Sequence, residues 1–266
     1  MKAIIHANVV LEDRILSDGV IQIENGRIAE IGKTDAIKLL DACEIIDAEN
    51  RFVGPGFVDI HCHAGGDAWA YEDPMRMARF HLAGGTTSLN CTIYHDIGEE
   101  GAIRAMKKIR KAMEENSPGN IMGIHFEGPF LNPGYGAMAK TIRPVDKREY
   151  RRYLAEAGDI LRMWTVAPEL ENAREFITDV HAAGIPIAMG HSAASPEDVF
   201  WAVDHGATIC THIMDATCCW ISPSRWGGTR ECGFDEAVML CDKIYCEIIN
   251  DREGIHVRPE NDPAYS

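Results

Sequence analysis

Seven short apolar runs alternating with amphipathic segments set the strongest limit on what this chain can fold into. The runs fall at 57–61, 86–92, 121–127, 163–167, 185–190, 207–212 and 244–249. Helical periodicity between them predicts helices over 74–82, 99–115, 147–156, 172–183, 196–204 and 234–241. The punctuation agrees: Gly84 and Gly85, Gly184 and Gly206 stand where a helix turns back into a strand, as left-handed caps do. Ser195-Pro196-Glu197-Asp198 is a matching start, with a capping hydroxyl, a proline at the first helical position and carboxylates at the positive end of the dipole. Strands and helices alternating over short connections imply a parallel sheet. The expected fold is α/β, a (β/α)8 TIM-like barrel with seven units visible and the eighth missing before Ser266. An open doubly wound sheet is the alternative, although its Gly-rich phosphate fingerprint does not follow the first strand.

Residues 1–54 have a different texture. Strands are expected at 3–11, 19–24 and 27–31, and Asn25-Gly26 between the last two is a hairpin signal because both turn positions favour positive φ. Val53-Gly54-Pro55-Gly56 marks the boundary, giving a small β domain over 1–54 and the barrel, C-terminally incomplete, over 55–266.

Composition narrows the function. With 266 residues, 46% of them hydrophobic, a large core is available. A formal charge of -15 repels nucleic acid and anionic membranes, so a small-molecule ligand is expected. The nine cysteines are odd in number, scattered and without a CxxC pair. Together with the absence of a long apolar run or a signal-like start, they point to a reduced, cytoplasmic setting with no membrane contact.

The chemistry gathers at strand ends. A buried carboxylate such as Glu127, closing an apolar run, is costly unless paired or holding a metal. His61 and His63, two apart on a strand, share one face and can grip one ion. His191 and His212 close two later strands, and barrel chemistry sits at that end. Nitrogen and carboxylate ligands suit zinc or ferrous iron with a position open for water, whose pKa the ion would lower towards ~7. His125, on the same strand face as Glu127, is expected to hydrogen-bond outside the ligand shell, and His95 to border the pocket or pack structurally. His6, His81, His181 and His205 read as solvated or capping. His256 is open between structure and catalysis on pattern alone. Arg225 and Arg230 either offer charge to an anionic substrate or belong to a solvated loop, and Trp220 and Trp226 either stack on a sugar or anchor that loop.

The stretches PGFVDIHCHAGGD (55–67), GIHFEGPFLNP (123–133), GHSAAS (190–195), THIMDAT (211–217) and GIHV (254–257) resemble the N-acetylglucosamine-6-phosphate deacetylases of the amidohydrolase superfamily, in that family's order. The resemblance implies a metal-dependent barrel with a small β-sandwich domain, usually homodimeric. It implies hydrolysis of the acetamide of N-acetylglucosamine 6-phosphate to acetate and glucosamine 6-phosphate, with metal-bound hydroxide as nucleophile. Glu127, His191 and His212 would bind the primary ion, His61 and His63 a second with Glu127 bridging, and His256 would polarise the carbonyl. Arg230 matches the arginine that contacts phosphate. Three positions depart from the family: its eighth-strand Asp has no counterpart before Ser266, leaving Asp215 or Asp251 as substitutes; Asp215-Ala216-Thr217 replaces Asn-Ala-Met at a substrate contact; and Met138 stands where a substrate-binding His is usual. An amidohydrolase of altered N-acyl specificity, or a catalytically silent remnant, are the alternatives.

Overall fold

The computed structural model describes residues 1–39, 43–115, 119–136, 140–222, 224–225 and 227–249. The chain divides into two compact units, Met1–Phe57 and Val58–Ser266.

In the first unit β1 (Lys2–Val10), β2 (Ile15–Glu24) and β3 (Arg27–Lys33) form an antiparallel meander, and the short β4 (Glu44–Asp47) and β5 (Phe52–Val53) add to β1 in parallel. The β2–β3 hairpin turns through Asn25 and Gly26 at φ 52° and 75°, the positive pair its sequence predicts. Ala7, Val9, Ile21 and Ala48 form its small buried core.

The second unit carries β6 (Phe57–Cys62), the hairpin β7 (Ala64–Gly65) and β8 (Ala68–Trp69), α1 (Pro74–Ala83), β9 (Thr86–Tyr94), α2 (Gly98–Glu115), β10 (Ile121–Glu127) and α3 (Lys147–Ala157). There follow β11 (Leu161–Val166), α4 (Ala173–Ala182), β12 (Ile187–Met189), α5 (Pro196–Asp204), β13 (Ala207–Cys210), the pair β14 (Trp220–Ile221) and β15 (Glu231–Cys232), α6 (Phe234–Met239) and β16 (Tyr245–Cys246). The main sheet has the order β16-β13-β12-β11-β10-β9-β6, and the pairings from β9 through β16 are parallel. Strands that neighbour each other in chain order, with no reversal, are those of a (β/α)8 barrel; a doubly wound sheet reverses order at its switch point, so that alternative is set aside.

Local chemistry explains the elements. The carboxylate of Asp73 and the hydroxyl of Ser195 accept hydrogen bonds from the amides of Arg76 and Asp198, capping α1 and α5, each with proline at its start. In α2, Ala102, Ile103, Ala105, Met106, Ile109 and Ala112 recur at helical spacing and are all buried. Gly206, at φ 111°, turns α5 into β13 where any side chain would run into the His181 ring. At the centre of the core Trp164 of β11 is fully buried. It stacks on Phe126 at 5.3 Å, meets Phe176 edge-on at 4.9 Å, and donates from Nε1 to the carbonyl oxygen of Gly128 at 2.8 Å. That bond ties the core to the residue following Glu127.

Candidate metal centre

Glu127 is the last residue of β10 and is 2% exposed. Four imidazoles converge on it. The Nε2 atoms of His191 and His212 each lie 3.0 Å from its Oε1, that of His61 lies 3.5 Å from the same oxygen, and that of His63 lies 3.1 Å from Oε2. The Nε2 atoms of His61 and His63 are 3.0 Å apart. His61 belongs to β6 and His63 follows it, while His191 and His212 each stand two residues past the ends of β12 and β13. Both take left-handed backbone, φ 49° and 27°, uncommon for a residue with a side chain. Backbone strain of this kind collects at ligand-binding positions.

The outer nitrogens decide what the cluster can hold. His191 Nδ1 lies 2.9 Å from the carbonyl oxygen of Tyr135, and His212 Nδ1 lies 3.1 Å from that of Asp215. His61 Nδ1 lies 3.0 Å from Glu247 Oε2. Carbonyls and carboxylates only accept, so each Nδ1 must carry the proton and donate it. In the neutral ring the Nε2 is then a bare lone pair, and facing a carboxylate it must either bind a second proton or share a cation. A divalent metal can stand in for those protons, and such metals are held by histidines fixed in this way from behind. The donors form two overlapping groups, His61 with His63 and Glu127, and Glu127 with His191 and His212, each within 4.8 Å. Four nitrogens and a two-oxygen carboxylate fit one or two ions of the zinc or ferrous type.

Electrostatics follows from the same crowding. Burial raises the cost of charge on Glu127, but His61, His191 and His212 outweigh it and hold the carboxyl well below its ordinary value. Burial also disfavours a charged His61, yet Glu127 and Glu247 push it up to about 10. His125 goes the other way: burial, then the neighbouring His61, hold it well below the usual imidazole range. Its Nδ1 lies 3.2 Å from Thr92 Oγ1 and its Nε2 2.8 Å from Thr165 Oγ1, which meets Thr211 Oγ1 at 2.9 Å. Thr92 Oγ1 also accepts the amide of Cys62 at 2.8 Å, between the two histidines of β6. His125 therefore supports the cluster from below, its ring 4.4 Å from that of His61.

Loops lock the rim. Glu169 accepts from Asn132 Nδ2, the Ala193 amide and Ser192 Oγ at 2.7–2.8 Å, clamping the loops after β10 and β12 on either side of His191. His95 is buried against Thr141 Oγ1 at 2.8 Å, and burial lowers it to about 4. Another donor group, Asp59, Cys62 and His81, lies beside β6. There the Cys62 thiol is pushed up to about 12 by burial, and His81 Nε2, 3.2 Å from its sulfur, lies 2.9 Å from the Ala64 carbonyl oxygen. That group is satisfied as a hydrogen-bonded layer, and His81 takes part in it.

The remaining sequence-derived positions are placed as follows. Asp215 offers its carbonyl to His212, with its carboxylate Oδ2 3.9 Å from the same ring. The Ala216 carbonyl accepts the Ser192 amide at 3.2 Å, joining the loops after β12 and β13. Arg230 pairs with Glu236 of α6 and lies 5.9 Å over the Trp220 ring, while Arg225 donates to Glu231 of β15 at 2.7 Å, so both guanidiniums meet carboxylates close in sequence. Met138, Trp226, Asp251 and His256 lie outside the described residues. The sequence reading missed Glu247. The signal was there, a lone carboxylate inside the apolar run 244–249.

A barrel with histidines and a carboxylate at its strand ends defines a metal-hydrolase scaffold, and residues 52–243 match the amidohydrolase family. The chain belongs to that family. It is 30% identical over 260 residues to the N-acetylglucosamine-6-phosphate deacetylase of Bacillus subtilis, covering 94% of this chain and 63% of that one. It is also 30% identical over 208 residues to the N-acetylgalactosamine-6-phosphate deacetylase of Shewanella, covering 76% and 50%. The crystal structure of N-acetyl-D-glucosamine-6-phosphate deacetylase from Mycobacterium smegmatis superposes with a TM-score of 0.78 at 29% identity, over 98% of this chain and 71% of that one. The chain thus spans less than two thirds of the length of the Bacillus and Shewanella relatives. No helix among the described residues is long and apolar enough to cross a membrane.

An ion that binds only the folded cluster must stabilise it. At free zinc 100 times the dissociation constant the gain is about 2.7 kcal/mol, and at roughly 2–4 °C per kcal/mol the melting temperature should rise about 5–10 °C. Melting curves in a chelator and in buffered zinc check this, and coincident curves would empty the cluster of its metal role.

Proposed function

We propose that the chain carries the metal-binding part of an N-acetylhexosamine-6-phosphate deacetylase, hydrolysing an acetamide to acetate and a free amine. The observation that carries this reading is the set of three Nε2 atoms turned onto Glu127 by acceptors behind the rings. Glu127, His191 and His212 would hold the primary ion, and His61 and His63 would hold a second with Glu127 shared. Zinc or ferrous iron fits, in one or two copies. Such an ion supplies Lewis acidity and an activated water at neutral pH.

The protein's own groups do the rest. Glu127 balances the charge of the site, and the carbonyls of Tyr135 and Asp215 keep their histidines in one tautomer. The Glu169 clamp holds the loop that bears His191. His256, in the motif 254–257, is assigned to polarise the acetamide carbonyl, where a preorganised donor counts most as charge develops on oxygen. Asp215 or Asp251 is assigned to pass the proton to the leaving amine. Ala216, Arg230 and Met138 are assigned to the substrate side. Residues 1–54 form the accessory β domain and 55–266 the catalytic barrel, working in the cytoplasm as a homodimer.

A second reading, altered N-acyl specificity, is favoured by one observation: Arg225 and Arg230 are already engaged by Glu231 and Glu236, while Asp215 presents a partly exposed carboxylate. Acetate release decides between them. The zinc-loaded chain should hydrolyse N-acetylglucosamine 6-phosphate or N-acetylgalactosamine 6-phosphate at least about 100-fold faster than the unphosphorylated sugars, the difference a charge-assisted phosphate contact of ~3 kcal/mol supplies. Equal rates would transfer the proposal to a neutral or differently acylated substrate, and no release from any of them would leave a binding remnant.

A further inference from the structure

The outer nitrogens of the four imidazoles are treated differently. Among the described residues, His191 and His212 rest on backbone carbonyls, His63 Nδ1 is buried with no hydrogen-bond partner, and His61 has its outer nitrogen hydrogen-bonded to a carboxylate, whereas Asp215 Oδ2 stands off at 3.9 Å from His212. The carboxylate on His61 is Glu247, the residue after β16 and 9% exposed in its side chain. Its backbone is fixed on both sides: its amide donates to the Cys210 carbonyl at 2.9 Å and its carbonyl accepts from the Ile213 amide at 3.0 Å. Oε2 takes the His61 Nδ1 proton at 3.0 Å and also the His212 amide at 3.2 Å. Oε1 is buried without a hydrogen-bond partner among the described residues. A carboxylate left half-satisfied in a buried place is expensive, so its position calls for a compensating interaction.

We propose that Glu247 is a positioning residue for the His61–His63–Glu127 half of the centre, orienting the His61 ring and strengthening it as a ligand for the second ion. This rests on the metal reading given above. The geometry assigns Glu247 this task because a carboxylate on the outer nitrogen fixes the tautomer, sets the ring plane and makes the inner nitrogen a better donor. The fixed backbone matters as much. β13 bears His212 two residues past its end and also pairs with β16, so one short ladder holds both Glu247 and a ligand of the first ion. The single side chain thereby spans the two halves: it grips the ring of His61 and the backbone of His212. His63, with no partner behind it among the described residues, depends on its neighbour for a defined second site.

Zinc binding tests this in the full chain. Stepwise affinity is read by competition with a chromophoric chelator, and stoichiometry by atomic emission, for the wild type, Glu247→Ala and Glu247→Gln. The wild type should take two ions. Glu247→Ala should weaken the second step by about 10- to 100-fold, the usual cost of losing such a partner, with the first step unchanged. Glu247→Gln, whose amide oxygen can still accept from His61 Nδ1, should fall between them, and it stands in for the alanine variant if metal-free melting shows that one unfolded. Unchanged affinities in the folded variants, or both steps weakened alike, would overturn the proposal, as would a wild type that binds one ion. A wild type that binds none would overturn the metal reading itself.

Discussion

Glu127→Gln should abolish the proposed metal-dependent hydrolysis and weaken metal binding at both donor groups while leaving the fold intact. The carboxylate is common to both donor groups, so one substitution removes a ligand from each. The loss in affinity should exceed the roughly 10- to 100-fold typical of groups that only support a ligand. The metal-free protein has a different response. Without metal the buried Glu127 charge is balanced by imidazole protons, that of His61 above all, and a neutral Gln gives up that pairing. Metal-free Glu127→Gln should therefore melt below the metal-free wild type, and zinc should no longer raise its melting temperature. Bound metal by emission spectroscopy and paired melting curves read both effects; two zinc ions retained at wild-type affinity would remove Glu127 from the ligand set.

Trp164→Ala should be the most damaging single truncation in the core. The indole is fully buried and packs on Phe126, Phe176 and Tyr153. Emptying such a site costs about 3–5 kcal/mol, or roughly 6–20 °C in melting temperature for a chain of this size. The substitution also frees the Gly128 carbonyl beside Glu127, so zinc affinity should fall with stability. Trp164→Phe separates the two: it keeps a ring in the stack but orphans the carbonyl, at about 1–3 kcal/mol. A melting temperature for Trp164→Ala within ~2 °C of the wild type would contradict the packing account.

Much of the fold was legible because it is written in local patterns. The helix 196–204 is found at those residues, since serine cap, proline and acidic first turn are all local signals. Strand lengths were less legible. The run 185–190 shortens to Ile187–Met189, and 244–249 shortens to Tyr245–Cys246, because apolar residues continue past the point where hydrogen bonding stops. β4 and β5 were invisible: each is made by pairing with β1 some forty residues earlier, which no local pattern announces. Glu247 was missed for a related reason. Placed inside a long expected strand it looked like one more edge residue, and only the early end of β16 turns it towards His61. The convergence of His61, His63, Glu127, His191 and His212 could be anticipated from their strand-end positions, whereas the acceptors behind them, two of them backbone carbonyls, carry no sequence signature.

The hydroxyls beneath the centre act as insulation. Both nitrogens of His125 face threonines, groups that satisfy a neutral ring and bring no charge of their own. The upper layer, where one carboxylate is balanced against four imidazoles, thus rests on a stratum whose one imidazole is held by burial well below its usual range. Electrically the site ends at His125. Packing below that level can drift through apolar substitutions without altering the field at Glu127, whereas a single acidic residue at Thr92 or Thr165 would short-circuit the separation and couple the core to the chemistry above it.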